Sequence, residues 1–395
     1  MKVAFAGCGY VADSYISTFP HHPELELVGV HDRDEQREAH FASFHSVRSY
    51  GTLDRMLEDP NVDAVLNLTN PESHYHITRA CLLAGKHVYS EKPLAMTFSE
   101  AAELVAMARE EGLYLSGAPC TLLGEAAQTL WQALRNEEIG RVRLVYAEID
   151  DGPVDLMGND RMTSASGIPW PYQDEFSVGC TLEHAGYYLS WLCAFFGPVE
   201  RVTAFSSCLK PQKLGLDIGT PDFSVACILF RSGVVARMTN GIYAPHNHRL
   251  QITGDEGLLY VDNAWHFGAP VFIERHSSLS LKAAGHPISR IPFASRALGL
   301  KAKRYPPVRR TPLKYATWKY YIDFARGVAE LAAAIAEDRP SRISADFLLH
   351  INEVILGIQA ASETGASFEV QSDLSPVSPM PWALSKGRAQ QPVSV

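Results

Sequence analysis

Short apolar runs alternate with longer amphipathic segments over the first 120 residues. The apolar runs, at 2–6 (KVAFA), 25–30, 64–68, 87–90 and 114–116, predict strands. The segments at 13–19, 53–57, 73–84 and 99–111 predict helices. Because strands that alternate with helices form a parallel sheet covered on both faces, the pattern predicts a doubly wound α/β domain with its ligand at the carboxyl ends of the strands.

The pattern changes beyond residue 121. A helix at 126–135, a strand at 143–149 and a Gly/Pro/Asp-rich loop at 150–173 precede an apolar helix at 189–196. Short alternating strands separated by turn residues follow at 200–206, 224–230, 234–240, 248–253 and 258–262, and helices at 318–336 and 345–364 close the pattern. We therefore expect an α/β domain at 1–121, an α+β domain with an antiparallel meander at 122–372, and a flexible tail at 373–395.

Composition narrows the class of protein. The chain has 395 residues, of which 46% are hydrophobic and 20% charged, and its length suits two or three domains. With 44 acidic against 35 basic residues, the formal net charge is -9. Nucleic acids and anionic membranes attract a cationic surface, so this balance argues against both as partners. No apolar run reaches the roughly 18 residues that a transmembrane helix needs.

The seven cysteines are odd in number and scattered, without a C-x-x-C pair or a metal-ligand spacing. We therefore expect no metal and a reducing compartment. The first functional motif begins at Gly7, which leaves no room for a signal peptide, and the sequence thus predicts a cytoplasmic protein.

A glycine pattern follows the first strand. Gly7, Gly9 and Ala12 form G-x-G-x-x-A, with Tyr10 and Val11 between the last two. In a dinucleotide site the first glycine permits a tight turn, the second admits the pyrophosphate, and the small third residue allows close packing of helix and strand. The pattern alone is a weak signal, because tight turns often contain glycine.

Asp32, at the end of the second predicted strand and 23 residues beyond Gly9, strengthens the dinucleotide interpretation. A carboxylate there accepts hydrogen bonds from ribose hydroxyls and repels the 2′-phosphate of NADP, so NAD is the expected cofactor. A lone aspartate is more often a helix cap. Arg33 could stack on adenine or pair with a 2′-phosphate, which keeps NADP as the alternative.

The most specific segment is Gly85–Pro93 (GKHVYSEKP), which resembles the G-K-H-V-x-x-E-K-P segment of the Gfo/Idh/MocA oxidoreductases. Thr69–His74 is similar to the T-x-P-x-x-x-H region of that family. The resemblance implies NAD(P)-dependent chemistry on sugars, inositols or nucleotide sugars. It also implies a Rossmann domain followed by a domain with a large, mostly antiparallel open sheet, and a homodimer or homotetramer formed through that sheet.

Lys92 is the first catalytic candidate. Beside a cationic nicotinamide its ammonium would lose proton affinity and could exchange a proton with a substrate hydroxyl. Without the motif, a solvated surface lysine would be the better interpretation, and Glu91 could serve only to orient the loop. The cofactor contacts that motif and resemblance together predict are Gly7, Gly9, Tyr10, Val11, Asp32, Arg33, Thr69, Asn70, Pro71, His74, Glu91 and Lys92.

The second domain departs from the family pattern. Most members carry D-x-G-x-H at the start of the apolar helix, whereas this chain has Glu183–Tyr187 (EHAGY). Tyr187 with Lys92 is the first acid/base pair to consider, since a neighbouring lysine can lower the pKa of a phenol. His184, one helical turn earlier, is the alternative; otherwise His184 caps the helix and Tyr187 lines the sugar pocket. The predicted substrate contacts are Lys92, Trp170, Glu183, His184 and Tyr187.

Residues 275–322 contain eleven lysines and arginines and no acidic residue. Nucleic-acid contact, binding of an anionic substrate, and a loop that covers the sheet or touches another subunit are three interpretations, of which the last is favoured.

Taken together, the sequence predicts an NAD-dependent dehydrogenase acting on a secondary hydroxyl or ketone of a sugar, sugar derivative or cyclitol. A lyase or glycosidase that uses tightly held NAD for transient oxidation is one alternative. A catalytically silent NAD-binding sensor is another.

Overall fold

The computed structural model describes residues 1–263, 265–276, 291, 293, 302–309, 321–384 and 393. Its N-terminal part is a five-stranded parallel sheet of order β2-β1-β3-β4-β5. The strands are β1 (Lys2–Ala6), β2 (Glu26–His31), β3 (Ala64–Asn67), β4 (His87–Ser90) and β5 (Leu115–Gly117), and the helices are α1 (Tyr10–Thr18), α2 (Glu35–His45), α3 (Leu53–Glu58), α4 (His74–Leu83) and α5 (Phe98–Glu110). The strand order reverses between β1 and β3, which opens a crevice at their carboxyl ends.

Helix α2 has no counterpart among the predicted helices. Its buried residues are Glu38, Phe41 and Ala42, so a carboxylate replaces part of the apolar stripe by which a helix is recognised. Glu38 accepts hydrogen bonds from the backbone N–H groups of Asp32 (2.9 Å) and Gly51 (2.6 Å). The helix is therefore anchored by polar contacts that a hydrophobic pattern does not reveal.

The C-terminal part contains a nine-stranded sheet of order β15-β14-β13-β12-β6-β11-β10-β7-β16 and a separate two-stranded ribbon, β8-β9. Only β6 and β11 pair in parallel among the described strands of this sheet, so the predicted mostly antiparallel architecture is confirmed. The strands are β6 (Val142–Asp150), β7 (Val199–Ser207), β8 (Gln212–Lys213), β9 (Leu216–Asp217), β10 (Phe223–Phe230), β11 (Val235–Gly241), β12 (Leu250–Gly254), β13 (Gly257–Val261), β14 (Phe272–Arg275), β15 (Lys303–Arg304) and β16 (Phe368–Glu369).

The predicted continuous meander is wrong in one respect. Strand β6 lies between β11 and β12 and bonds to both, so β11 and β12 are not neighbours. Alternation of apolar and polar residues reports that a strand has one buried face, but it does not say which strands pair.

The helices described beyond residue 121 are α6 (Glu125–Arg135), α7 (Tyr172–Phe196), α8 (Ala325–Ala336) and α9 (Ala345–Thr364). Helix α7 begins inside the segment predicted as a loop, and Gly179 interrupts it with φ +80° and ψ 160°. Both α7 and α9 contribute to the buried core beneath the sheet, whereas the side chains of α8 join a different core.

Helix α8 packs against the first domain, although the predicted boundaries place it in the second. Its Ala325, Val328 and Leu331 join Phe5 and Tyr89 in one buried cluster. A Cβ atom at Gly327 would lie 2.1 Å from the Tyr89 hydroxyl, so only glycine fits at this crossing.

Residues 373–384 of the predicted tail contact the rest of the chain. The Arg309 guanidinium lies 3.9 Å from the centroid of the Trp382 ring, and the Ala383 carbonyl accepts a hydrogen bond of 3.1 Å from Arg135. These contacts hold the segment against α6.

Most of the basic segment lies outside the described residues, namely Lys282, Arg290, Arg296, Lys301, Arg310, Lys314 and Lys319. Of the four that are described, Arg275 pairs with Glu138, Arg309 pairs with Glu125, and Lys303 and Arg304 form the edge strand β15. Within the described residues, no helix has the length and apolarity that crossing a bilayer would require.

Candidate active site

A cleft of about 710 Å³ runs along the carboxyl ends of the parallel strands and beneath residues 168–175 of the second part of the chain. It brings together all of the predicted cofactor contacts, and of the predicted substrate contacts it lacks only His184. Arg37, Tyr172 and Glu175 also line it and were not predicted. His184 lies outside the described lining of the cleft.

The glycine turn and the start of α1 form one end of the cleft. Gly7 has φ +104°, and a Cβ atom there would lie 2.6 Å from the Leu68 carbonyl oxygen. At Gly9 a Cβ atom would meet nothing within 4 Å, and α1 has no side-chain cap. Uncapped N–H groups at a helix start, reached across an open glycine, suit a bound pyrophosphate.

Asp32 lines the same end of the cleft, at the end of β2. Its carboxylate accepts hydrogen bonds from the backbone N–H groups of Cys8 (2.8 Å) and Asp34 (2.9 Å), and Arg37 lies 3.5 Å away. These bonds hold the carboxylate beside the glycine turn, where a ribose would follow the pyrophosphate.

His74 joins two of the loops that line the cleft. It is fully buried, with Nδ1 at 2.6 Å from the Pro93 carbonyl oxygen and Nε2 at 3.0 Å from that of Thr69. Burial lowers the pKa of His74, so the ring is neutral and has one N–H to donate. Its position between the loops favours a supporting role over direct contact with a ligand.

Lys92 follows β4 and is held from two sides. Glu91 accepts hydrogen bonds from the Tyr15 hydroxyl (2.7 Å) and the Lys92 backbone N–H (3.0 Å), while the Lys92 ammonium donates to the Glu183 carboxylate. Burial alone lowers the pKa of Lys92, but the surrounding carboxylates outweigh it and raise that pKa well above its ordinary value. The expectation of a lowered pKa is therefore wrong for this structure, because the carboxylates of α7 come from a distant part of the chain.

Glu175 is one of the residues that sequence reasoning missed. It lines the cleft together with Glu183, its carboxyl group interacts with that of Glu183, and Glu183 in turn accepts a hydrogen bond from Lys92. Burial, followed by the charge of Glu183, raises the pKa of Glu175 well above its ordinary value. For Glu183, burial acts upward, but the Lys92 charge prevails and lowers the pKa. The only sequence feature that could have indicated Glu175 is a glutamate close to a glycine within a helical stretch.

Tyr187 faces the cleft from α7, with its ring 5.4 Å from that of Trp265. Burial raises the pKa of Tyr187, and the nearby carboxylates add to this effect although Lys92 opposes it. The expected lowering of its pKa by Lys92 is thus overturned by the rest of the environment, and Tyr187 is a neutral phenol that can donate a hydrogen bond.

His184 points to a different cluster. Its Nε2 lies 3.0 Å from one oxygen of Asp151, whose other oxygen lies 2.6 Å from Nε2 of His248. Burial opposes ionisation of Asp151, but the two imidazoles outweigh it and hold its pKa below the usual range. Asp151, His246 and His248 also bring ligand-type atoms within 4.8 Å of one another, a grouping that the cysteine-based expectation of no metal did not consider.

Comparison with known proteins gives two family matches. Residues 1–118 match a model described as an oxidoreductase family with an NAD-binding Rossmann fold, and residues 127–260 match the GFO/IDH/MocA C-terminal domain. The chain belongs to the GFO/IDH/MocA oxidoreductase family. The predicted family, the enzyme class and the NAD cofactor are thereby confirmed.

Curated relatives of this GFO/IDH/MocA protein include the trans-1,2-dihydrobenzene-1,2-diol dehydrogenases. The pig protein (Sus scrofa) is 26% identical over 244 residues, which cover 61% of this chain and 68% of the relative. The mouse protein (Mus musculus) is 25% identical over 268 residues, which cover 67% and 75%.

Solved structures of low sequence identity share the fold. An oxidoreductase from Agrobacterium radiobacter, in complex with NAD+, L-tartaric acid and magnesium, has a TM-score of 0.74 at 13% identity, covering 93% of this chain and 98% of its own. Aldose-aldose oxidoreductase from Caulobacter crescentus, complexed with glycerol, has a TM-score of 0.72 at 19% identity, covering 94% and 99%.

Proposed function

We propose that this GFO/IDH/MocA protein transfers a hydride between NAD and a secondary hydroxyl, or the matching ketone, of a sugar, sugar derivative or cyclitol. The observation that carries the proposal is one continuous cleft with the glycine turn and Asp32 at one end and Lys92, Glu183 and Tyr187 at the other. A nucleotide-binding end joined to a proton-donating end is what such a dehydrogenation requires.

The cofactor end favours NAD over NADP. Gly9 and the uncapped start of α1 would hold the pyrophosphate, and Asp32 would accept hydrogen bonds from the ribose hydroxyls. When bound, the nicotinamide supplies the two-electron acceptor or donor of the reaction. Arg33 and Arg37 line the same end and could receive a 2′-phosphate only in competition with the Asp32 charge.

At the reacting end, Lys92 is the acid and Tyr187 the hydrogen-bond donor. In the reducing direction the Lys92 ammonium would give a proton to the substrate carbonyl oxygen, to which the Tyr187 hydroxyl would also donate a hydrogen bond. In the oxidising direction the proton would return from the substrate hydroxyl to Lys92. Lys92 precedes Tyr187 in this assignment because its ammonium carries a positive charge that can balance a developing alkoxide, which the neutral Tyr187 hydroxyl lacks.

The lining of the cleft favours a neutral polyol. Trp170, Tyr172 and Tyr187 offer aromatic surface for the C–H faces of a sugar ring, and Glu183 can accept bonds from hydroxyls. An anionic substrate would meet repulsion from the Glu183 carboxylate, and none of the described basic residues of the 275–322 segment lines the cleft.

A second copy of the chain is the proposed partner at the large sheet. Tyr146, Phe205 and Val235 lie on its strands with 37%, 61% and 39% of their surface exposed. Exposed apolar side chains on a sheet face suit a homodimer or homotetramer. Native mass spectrometry would count the subunits.

The test is a panel of aldoses, inositols and vicinal diols with NAD+, including the diol named for the mammalian relatives, read by the absorbance of reduced nicotinamide. On any compound turned over, Lys92→Met should lower kcat by at least about a hundredfold, because general acid–base groups contribute roughly 10² to 10⁴. NAD affinity, measured by fluorescence, should stay nearly unchanged.

Lys92→Arg is the matched control, since it keeps a charge beside Glu183 but does not release a proton at neutral pH. Loss of turnover in both variants supports proton transfer by Lys92. An unchanged kcat in Lys92→Met would refute the assignment. Product mass measured alongside absorbance distinguishes net oxidation from transient oxidation, in which reduced nicotinamide does not accumulate.

A further inference from the structure

We propose that Glu175 is the group through which the active-site lysine exchanges protons with solvent, by way of Glu183. The inference rests on the proposed dehydrogenase function and adds to it a residue with a defined task. In this proposal Lys92 exchanges a proton with the substrate, Glu183 passes protons between Lys92 and Glu175, and Glu175 exchanges protons with water.

The break in α7 brings the two glutamates together. In a continuous helix, residues eight positions apart are separated by about 12 Å along the axis, too far for their carboxyl groups to bond. At Gly179 the helix is interrupted, and the Cys180 N–H donates instead to the Pro221 carbonyl oxygen at 3.0 Å. The residues before Gly179 therefore take a different direction, and the carboxyl group of Glu175 meets that of Glu183.

The charges of the three groups balance only with a proton on Glu175. Lys92 is a cation and Glu183 an anion, and both are partly buried in direct contact. An ionised Glu175 would add a second, uncompensated negative charge, and its buried Oε2 has no hydrogen-bond donor among the residues that the structure describes. A protonated Glu175 instead donates a hydrogen bond to Glu183, which makes it a stored proton next to the ion pair.

Other ionisable groups act on this trio from the neighbouring elements. Glu91, after β4, raises the proton affinity of Glu175 and Lys92, whereas His184, on α7, favours the charged form of Glu183. Tyr187 faces Lys92 from the same helix. Glu175 itself is partly exposed, and Gln173 and Asp174 before it in the chain are exposed.

The proton transfers are balanced step by step. In the reducing direction, the substrate carbonyl oxygen takes a proton from Lys92 and the resulting amine takes one from the Glu183–Glu175 pair. That proton is the one that Glu175 held and that passes through Glu183, so both carboxyl groups are ionised until Glu175 regains a proton from water. One proton enters at Glu175 for each that leaves at Lys92, no electrons move along the chain, and oxidation reverses every step.

The first test requires no substrate. Infrared spectroscopy at pH 8 should show the carbonyl stretch of a protonated carboxylic acid in the wild-type protein. Burial raises the pKa of Asp150 to about 6, so Asp150 is ionised at pH 8 and does not contribute to this band. The band should disappear in Glu175→Gln and persist in Asp174→Asn, which removes the exposed neighbouring carboxyl group. A band that is absent from the wild-type protein, or present in Glu175→Gln, overturns the proposal.

The second test separates proton supply from structure, using any compound turned over in the panel. Glu175→Gln is nearly isosteric and can still donate a hydrogen bond to Glu183. Its first turnover should proceed at the wild-type rate with the proton already on Lys92, whereas steady-state kcat should fall at least about tenfold. If the first-turnover rate and the steady-state kcat fall equally, or if neither falls, the proposed role of Glu175 is contradicted. If no compound is turned over but the band behaves as expected, the proposed function fails and the proton store stands.

Discussion

At the scale of single residues, the chemistry of the cleft is set by neighbours from other parts of the chain. Burial keeps the proton on Tyr187 although the Lys92 charge opposes it, whereas burial acts against the proton on Lys92 and is outweighed, first of all by the charge of Glu183. A lysine motif predicts the residue, but its protonation depends on Glu175 and Glu183, which arrive from α7. The resting site therefore holds Lys92 and Tyr187 in their protonated forms.

Tyr187 and His184 should respond differently to mutation. Tyr187→Phe removes a hydroxyl that faces the cleft and should lower kcat about tenfold to a hundredfold, with little effect on unfolding. His184→Ala leaves Asp151 with His248 alone and should destabilise the fold by about 1–3 kcal/mol while kcat changes little. Steady-state kinetics and thermal unfolding of both variants check this, and the reverse pattern would transfer the acid/base role to His184.

Asp150 predicts a pH-dependent stability. Burial raises its pKa from 3.8 to about 6, so between pH 4 and 6 the folded chain holds a proton that the unfolded chain has released. The contribution of Asp150 to the free energy of unfolding therefore falls by about 3 kcal/mol in total as pH rises through that window. Asp150→Asn should raise the unfolding midpoint at pH 8 and about half as much at pH 5. A gain of equal size at both pH values would contradict this.

At the scale of elements, the break in α7 lets residues from both sides of Gly179 line the cleft. Thr220 donates a hydrogen bond to the Phe176 carbonyl oxygen and Pro221 accepts one from Cys180, so one loop satisfies the backbone on both sides of Gly179. An unbroken helix would place Glu175 and Glu183 two turns apart. The position of Glu175 in the cleft is thus a property of the whole element and its loop partner.

Gly179→Ala should disturb this arrangement. Its φ of +80° with ψ 160° belongs to a region that is essentially restricted to glycine, and an added Cβ would lie 3.1 Å from the Pro221 carbonyl oxygen. We expect a loss of about 1–3 kcal/mol in unfolding free energy, measured by chemical denaturation. Gly186→Ala is the control on the same helix, because its Cβ would meet neighbours at 3.7 Å and alanine favours helix. Equal effects of the two substitutions would argue against a required break.

At the scale of the whole molecule, the second part of the chain closes over the cofactor end of the first. Asp13 of α1 accepts hydrogen bonds from the Ser166 N–H (3.1 Å) and hydroxyl (2.6 Å), and His40 Nε2 lies 2.7 Å from the Ser166 carbonyl oxygen. Residues 168–175, which follow directly, line the cleft. These contacts fasten the loop to the helix whose start would hold the pyrophosphate.

Loosening this contact should speed cofactor release. Ser166→Ala removes the hydroxyl bond, worth about 0.5–1.5 kcal/mol, and should raise the NADH dissociation rate about two- to tenfold in stopped-flow fluorescence. Ser177→Ala, an exposed serine on α7, is the control. An unchanged rate in Ser166→Ala would show that the loop does not govern release. Slow release in the wild type would favour the alternative in which NAD is regenerated within each catalytic cycle.

Much of the fold and part of the site were predictable from local patterns. Periodicity identified the strands of the parallel sheet, and the glycine turn and the GKHVYSEKP segment identified residues that line the cleft, because turn geometry and close backbone approach restrict residue choice over a few positions. Helix α2 was not predicted because a buried carboxylate anchors it. The strand order of the large sheet was not predicted because alternation of apolar and polar residues does not specify a partner strand.

The strands and most helices of the first domain, the family, and the cofactor that the motifs indicate could therefore be predicted from the sequence alone. Only the tertiary structure decided that Lys92 is surrounded by carboxylates, that His184 turns to Asp151, that Glu175 joins the site and that α8 completes the first domain. The physical reason is that charge, burial and proton affinity depend on distances through space, and residues more than 80 positions apart, such as Lys92 and Glu183, become neighbours only after the whole chain has packed.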